Sequence, residues 1–123
     1  HAGGSAVMLT DALSRGGLEV PEILNPAARE LLDYLYSGSS VKNPIDFLAT
    51  GTAEQLGLII DFCESLEEID AIIVVFGSPG LFNVKDVYQV LNNKMQHCKK
   101  TIFPVLPSLI NAKNEIKGLF RLS

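Results

Sequence analysis

The run Asp70-Ala71-Ile72-Ile73-Val74-Val75-Phe76-Gly77 sets the tightest limit on what this chain can fold into. Its interior is apolar, unbroken and rich in β-branched residues, without the alternation of a strand that faces water on one side. Such a run reads as a parallel strand buried on both faces. Parallel strands need long crossover connections, and helices usually supply them. Helical patterns flank the run. Upstream, Leu56, Ile59, Ile60, Cys63 and Leu66 share one helix face, the clearest helical period in the chain. Thr52 is that helix's natural N-cap, and Glu64, Glu67 and Glu68 form its solvated side. Downstream, Asn83 to His97 carries Val84, Val87, Tyr88, Leu91 and Met95 inward, and Thr101 to Leu106 follows as another strand. Pro104 removes a donor from that strand and argues for an edge position.

The same alternation extends to both ends. Residues 5 to 15 read as a first helix, stopped by Gly16-Gly17. Leu18 to Pro21 reads as a short strand. Asn25-Pro26 then starts a second helix, with Asn at the N-cap and Pro at the first helical position. Its apolar face is Ala28, Leu31, Leu32 and Leu35. Gly38-Ser39-Ser40 is a turn, and Val41 to Phe47 holds a third extended segment, limited by Pro44. Asn111 to Leu122 reads as a final helix with Ile116, Leu119 and Phe120 inward. The fold class expected is α/β, a flavodoxin-like three-layer α/β/α arrangement with a parallel sheet. A glycine-rich turn like the one at residues 3–4 normally follows the first strand of such a unit. Residues 1–123 are therefore expected to be a single flavodoxin-like domain, a fragment of a larger protein, with its first strand upstream of residue 1. With that strand supplied, the sheet order is 2-1-3-4-5.

Composition excludes several functions. The chain has 123 residues, 47% hydrophobic and 20% charged, which suits one globular core. The net charge is −4 with Lys and Arg scattered, which argues against a nucleic-acid groove. The longest apolar run, Ala71 to Phe76, is far too short to span a bilayer, and no basic segment precedes an apolar leader. A cytoplasmic location is expected. Cys63 and Cys98 both fall at apolar helix positions and read as buried thiols rather than as a disulfide or a metal pair. His1 and His97 are far apart, and no Cys/His cluster has metal-ligand spacing. His97, in the last turn of its helix beside Lys99 and Lys100, reads as a surface histidine. The mean hydropathy of +0.25 is high for a free-standing domain and fits a sheet slot covered by upstream residues or another chain.

Chemistry is concentrated where the chain begins. In His1-Ala2-Gly3-Gly4-Ser5-Ala6, two glycines and a small hydroxyl residue open a helix. A helix N-terminus presents unpaired N–H groups and roughly half a positive charge. Glycine lets an anion approach because no Cβ intervenes. Gly3, Gly4 and Ser5 are thus either a phosphate or carboxylate cradle or an ordinary tight strand-to-helix turn. Ligands of doubly wound sheets bind at the carboxyl ends of the strands. Three loops are expected at that edge: His1 to Ser5, Asn43 to Gly51, and Gly77 to Gly80. Asn43, neutral and able to donate, is the better anion contact. Asp46 would repel a phosphate, so it either caps the Ala49–Thr52 turn or orients the cradle or a partner's loop. Ser78 is either an anion donor or a turn residue, and Gly77 and Gly80 allow close approach of a ligand.

The ordered set of segments resembles a known family. Ala2-Gly3-Gly4-Ser5-Ala6-Val7-Met8-Leu9-Thr10-Asp11-Ala12-Leu13, followed by Gly17-Leu18-Glu19-Val20-Pro21, resembles the start of one flavodoxin-like domain of the NDP-forming acyl-CoA synthetases. Asn43-Pro44-Ile45-Asp46 resembles that domain's Asn-Pro-x-Asp motif, and Asp70 to Gly77 with Gly80 resembles its fourth strand and loop. The domain is similar to the C-terminal domain of the succinyl-CoA synthetase β subunit.

The resemblance implies a domain that helps to hold phosphohistidine at the acyl-CoA site. There acyl-CoA, phosphate and NDP become acid, CoA and NTP through a phosphohistidine. It implies that Gly3, Gly4 and Ser5 open one of two helices facing that phosphohistidine, and that the 77–80 loop lies near the acyl or phosphate pocket. His1-Ala2-Gly3 is similar to the His-Ala-Gly around the family's phosphorylated histidine. However, Val7 to Leu13 matches the helix-opening motif of this domain, so His1 reads as a terminal or loop histidine. CoA, the nucleotide (ADP/ATP or GDP/GTP) and Mg are expected in the parent synthetase and none on this fragment, which alone should have no turnover. Its partners are the CoA-binding and ATP-grasp domains or subunits of the same synthetase, with no nucleic acid or membrane involved. The alternative is a non-catalytic module of an acyltransferase fusion that senses CoA or nucleotide. A flavin-binding electron carrier fits poorly, because the chain has no Trp and no Ser/Thr-rich phosphate loop with aromatic partners.

Overall fold

A computed structural model describes residues 2–35, 42–46, 52–76 and 84–105. The elements in order are α1 (Ala2–Arg15), α2 (Ala27–Asp33), α3 (Ala53–Ser65), β1 (Ala71–Val75), α4 (Val84–His97) and β2 (Thr101–Val105). The fold is mixed α/β. β1 and β2 pair in parallel, in the register Ala71↔Thr101 to Val75↔Val105, with α4 as the crossover between them. The expected strands are present and parallel, and β1 ends one residue earlier than the sequence suggested. Gly77–Gly80, Leu106 and the residues expected to form a final helix, Asn111 to Leu122, lie outside the described residues.

The core forms where α3 and α4 meet each other and one face of the sheet. Leu56, Ile59, Ile60, Cys63 and Leu66, the whole face expected of α3, are buried with Ile69, Ile72, Val74, Leu91 and Ile102. Leu91 and Ile60 are fully enclosed. Ala28 and Leu31 of α2, with Ile23 before it, extend the same cluster. The helices approach closely at Gly57, where an added Cβ would lie 3.5 Å from Val90 Cγ1 and 3.8 Å from Lys94 Cε. The ammonium of Lys94 is 2.5 Å from the Asp61 carboxylate across the same contact.

α3 begins as its sequence demands. Thr52 Oγ1 accepts the Gln55 N–H at 3.2 Å, and Gln55 Oε1 accepts the Thr52 N–H at 3.0 Å, a complete capping box. Gln55 is buried, and its Nε2 donates to the Tyr34 carbonyl at 3.1 Å, tying the end of α2 to the start of α3. α2 opens one residue later than expected, at Ala27, which puts Pro26 rather than Asn25 at the N-cap; the Asn25 Oδ1 accepts the Ala27 N–H at 2.9 Å from one residue further out.

Several sequence expectations need correction. Leu18 to Pro21 is not a strand. Leu18 is 61% exposed, Pro21 has no N–H to give to a ladder, and its carbonyl is taken by a side chain instead. Residues 42–44 bend around Pro44, whose peptide with Asn43 is cis, and Asp46 alone of the described residues there forms a β-bridge, so the extended segment is cut to a single bridge. β1 is not buried equally on both faces. Ile72 and Val74 are buried in the cluster that holds the α3 face and Leu91, whereas Ile73 and Val75 are half-buried and Ala71 is exposed. Met95 and Leu32 lie exposed at the margins of their helix faces. Cys98 stands just beyond α4 rather than on its apolar face, its N–H still reaching the Lys94 carbonyl at 2.8 Å.

Candidate functional site

The first turn of α1 carries the proposed cradle, and its geometry differs from the sequence expectation. The helix starts at Ala2, not at residue 5, so Gly3, Gly4 and Ser5 lie inside its first turn rather than in a loop before it. Gly3 and Gly4 are therefore helical residues. Gly17, after the helix, has φ +85°, the left-handed backbone expected of a C-terminal glycine, whereas Gly3 and Gly4 are helical. The N–H groups of a first turn have no partner within the helix, so both glycines sit among its unpaired donors. No carboxylate occupies that turn, and nothing on the helix itself repels an anion there. Further along, the Thr10 hydroxyl donates back to the Ala6 carbonyl at 2.8 Å, while Asp11 and Arg15 form an exposed i,i+4 pair.

Asn43 is a positioning residue in this geometry. Its Nδ2 donates to the Pro21 carbonyl at 3.0 Å, which fastens the 42–46 bend to the segment following α1. The sequence reading gave that amide to an anion; the structure gives one of its N–H groups to the backbone. Asp46 is exposed at the end of the bend. Ile45, between them, packs against the core from a half-buried position. Gly77, Ser78 and Gly80 lie outside the described residues, as does His1. Asn43 is held by the segment after α1, beyond the end of the helix opposite to Gly3, Gly4 and Ser5, so the contacts of the described residues do not bring the expected loops together.

Phe76, just after β1, is held by two contacts. The Phe76 N–H donates to the Val105 carbonyl at 3.0 Å, continuing the ladder beyond β1. The Phe76 ring meets Tyr88 edge to face, with centroids 5.2 Å apart and planes at 89°. Burial pushes the Tyr88 phenol above its ordinary value.

A cluster at the other end of α3 was not foreseen. Glu64, expected on the solvated side, accepts the N–H of Lys99 at 2.8 Å and of Lys100 at 3.2 Å. The Lys100 ammonium donates to the Cys63 carbonyl at 2.8 Å and to the Leu66 carbonyl. These partners are 34 to 37 residues apart, and no local pattern announces them. Cys63 is buried and its thiol is pushed up to about 11 by that burial, partly offset by Lys100. Cys98, half-buried, is also raised, first by burial and then by Glu64. His97 is exposed, with Nδ1 2.8 Å from the Asn93 carbonyl, in the surface position expected.

An open cavity of about 330 Å³ lies between the end of α2 and the start of α3, lined by Asp33, Tyr34, Thr52, Glu54 and Leu58 among others. Its acidic rim suits no phosphate. Among the described residues no group of His, Cys, Asp and Glu could hold a metal ion, and no helix is long and apolar enough to cross a membrane. No protein-family model and no curated protein sequence matches the chain.

Proposed function

We propose that this chain is a flavodoxin-like domain of an NDP-forming acyl-CoA synthetase, and that the first turn of α1 helps to hold the phosphoryl group of a phosphohistidine. The observation that carries the reading is the helical setting of Gly3 and Gly4. Glycine is a poorer helix former than alanine. No left-handed φ demands glycine there. What two adjacent glycines provide is bare backbone at the donor end of a helix, the surface that a phosphoryl dianion requires. Ser5, next in line, adds a hydroxyl.

The parallel β1–β2 pair with α4 between its strands supports the three-layer architecture that the proposal requires. In it, α1 belongs after a strand, with its N-terminus at the carboxyl edge of the sheet. The reaction served is acyl-CoA, phosphate and NDP to acid, CoA and NTP, with CoA, nucleotide and Mg held by the partner domains of the synthetase.

The direct test is a phosphate titration followed through backbone amide resonances. The dipole contributes roughly 0.3–2 kcal/mol, so binding is weak and falls with ionic strength. The Gly3, Gly4 and Ser5 N–H signals are expected to move saturably with phosphate or sulfate and to stay in place with chloride at equal ionic strength. Shifts confined to exposed lysines would overturn the proposal.

A further inference from the structure

We draw no further inference here: the strongest candidate, the apolar patch that Phe103 and Val105 form on the outward face of β2, carries nothing, because nothing in the structure shows what covers it.

Discussion

Glu64 and Lys100 hold each other's elements in a reciprocal exchange. The Glu64 carboxylate, in the last turn of α3, accepts the backbone N–H groups of Lys99 and Lys100 at the entry to β2. The Lys100 ammonium returns along the same path to cap the carbonyls of Cys63 and Leu66 at the end of α3. The exchange gives terminal carbonyls of α3 a cation, the sign that the helix dipole favours. It also fixes where β2 starts, and so helps to set its register on β1.

Breaking either half should therefore cost stability. Glu64→Ala and Lys100→Met are each expected to lower the unfolding free energy by about 1–2 kcal/mol, since each removes charge-assisted bonds to backbone. A double-mutant cycle by urea denaturation checks the coupling. The double variant should lose less than the sum of the single losses. Strict additivity would mean that the two halves act independently.

The close contact at Gly57 predicts a gain. An alanine Cβ there would meet Val90 and Lys94 at ordinary van der Waals distances, and Gly57 is mid-helix. Gly57→Ala should stabilise by roughly 0.5–1 kcal/mol through helix propensity. Gly57→Leu should instead destabilise by about 1–3 kcal/mol by forcing α3 and α4 apart. Thermal unfolding of the two variants distinguishes the cases.

Much of this architecture was legible in local pattern. Helical periodicity located the α3 face from Leu56 to Leu66, every member of which is buried, and Thr52 announced its cap. The Ala71–Phe76 run marked β1 and the parallel pairing, because β-branched apolar runs have few other uses. What failed depended on partners distant in sequence. Leu18 to Pro21 had the composition of a strand, but a strand exists only where a ladder accepts it. Glu64 looked solvated because its partners lie on the far side of α4. At the candidate site the glycines were visible but their helical setting was not. Helix propensity alone stops α1 short of Gly3 and Gly4.

Alkaline pH should weaken the fold through Cys63. Its folded pKa, about 11, lies above the ordinary value of 9.0, so the folded state keeps its proton where the unfolded state loses it. The stability tied to that proton is complete below about pH 9 and is lost as pH rises towards 11. Urea midpoints at several pH values between these limits should fall, and should fall less steeply for Cys63→Ala, after its overall loss from the core is subtracted. An equal slope in both proteins would assign the alkaline loss to other groups.

The two thiols should also react at different rates. At pH 8 a thiol reagent should modify half-buried Cys98 slowly in the native protein, and buried Cys63 only on unfolding. Peptide mapping of the labelled protein reads out the order. Modification of Cys63 first would contradict the burial described here.

The most direct measurement of the central claim follows phosphohistidine formation in a synthetase containing this domain, from NTP and from acyl-CoA with phosphate separately. Gly4→Val places a branched side chain on the first turn of α1, where the phosphoryl group is proposed to sit; Ser5→Ala removes a hydroxyl and keeps the backbone donors. With both variants shown to fold by circular dichroism, Gly4→Val is predicted to abolish phosphorylation from acyl-CoA and phosphate, and Ser5→Ala to reduce it in part. A folded Gly4→Val protein that runs both half-reactions at the wild-type rate would contradict the account and leave the glycines of α1 without a part in phosphoryl transfer.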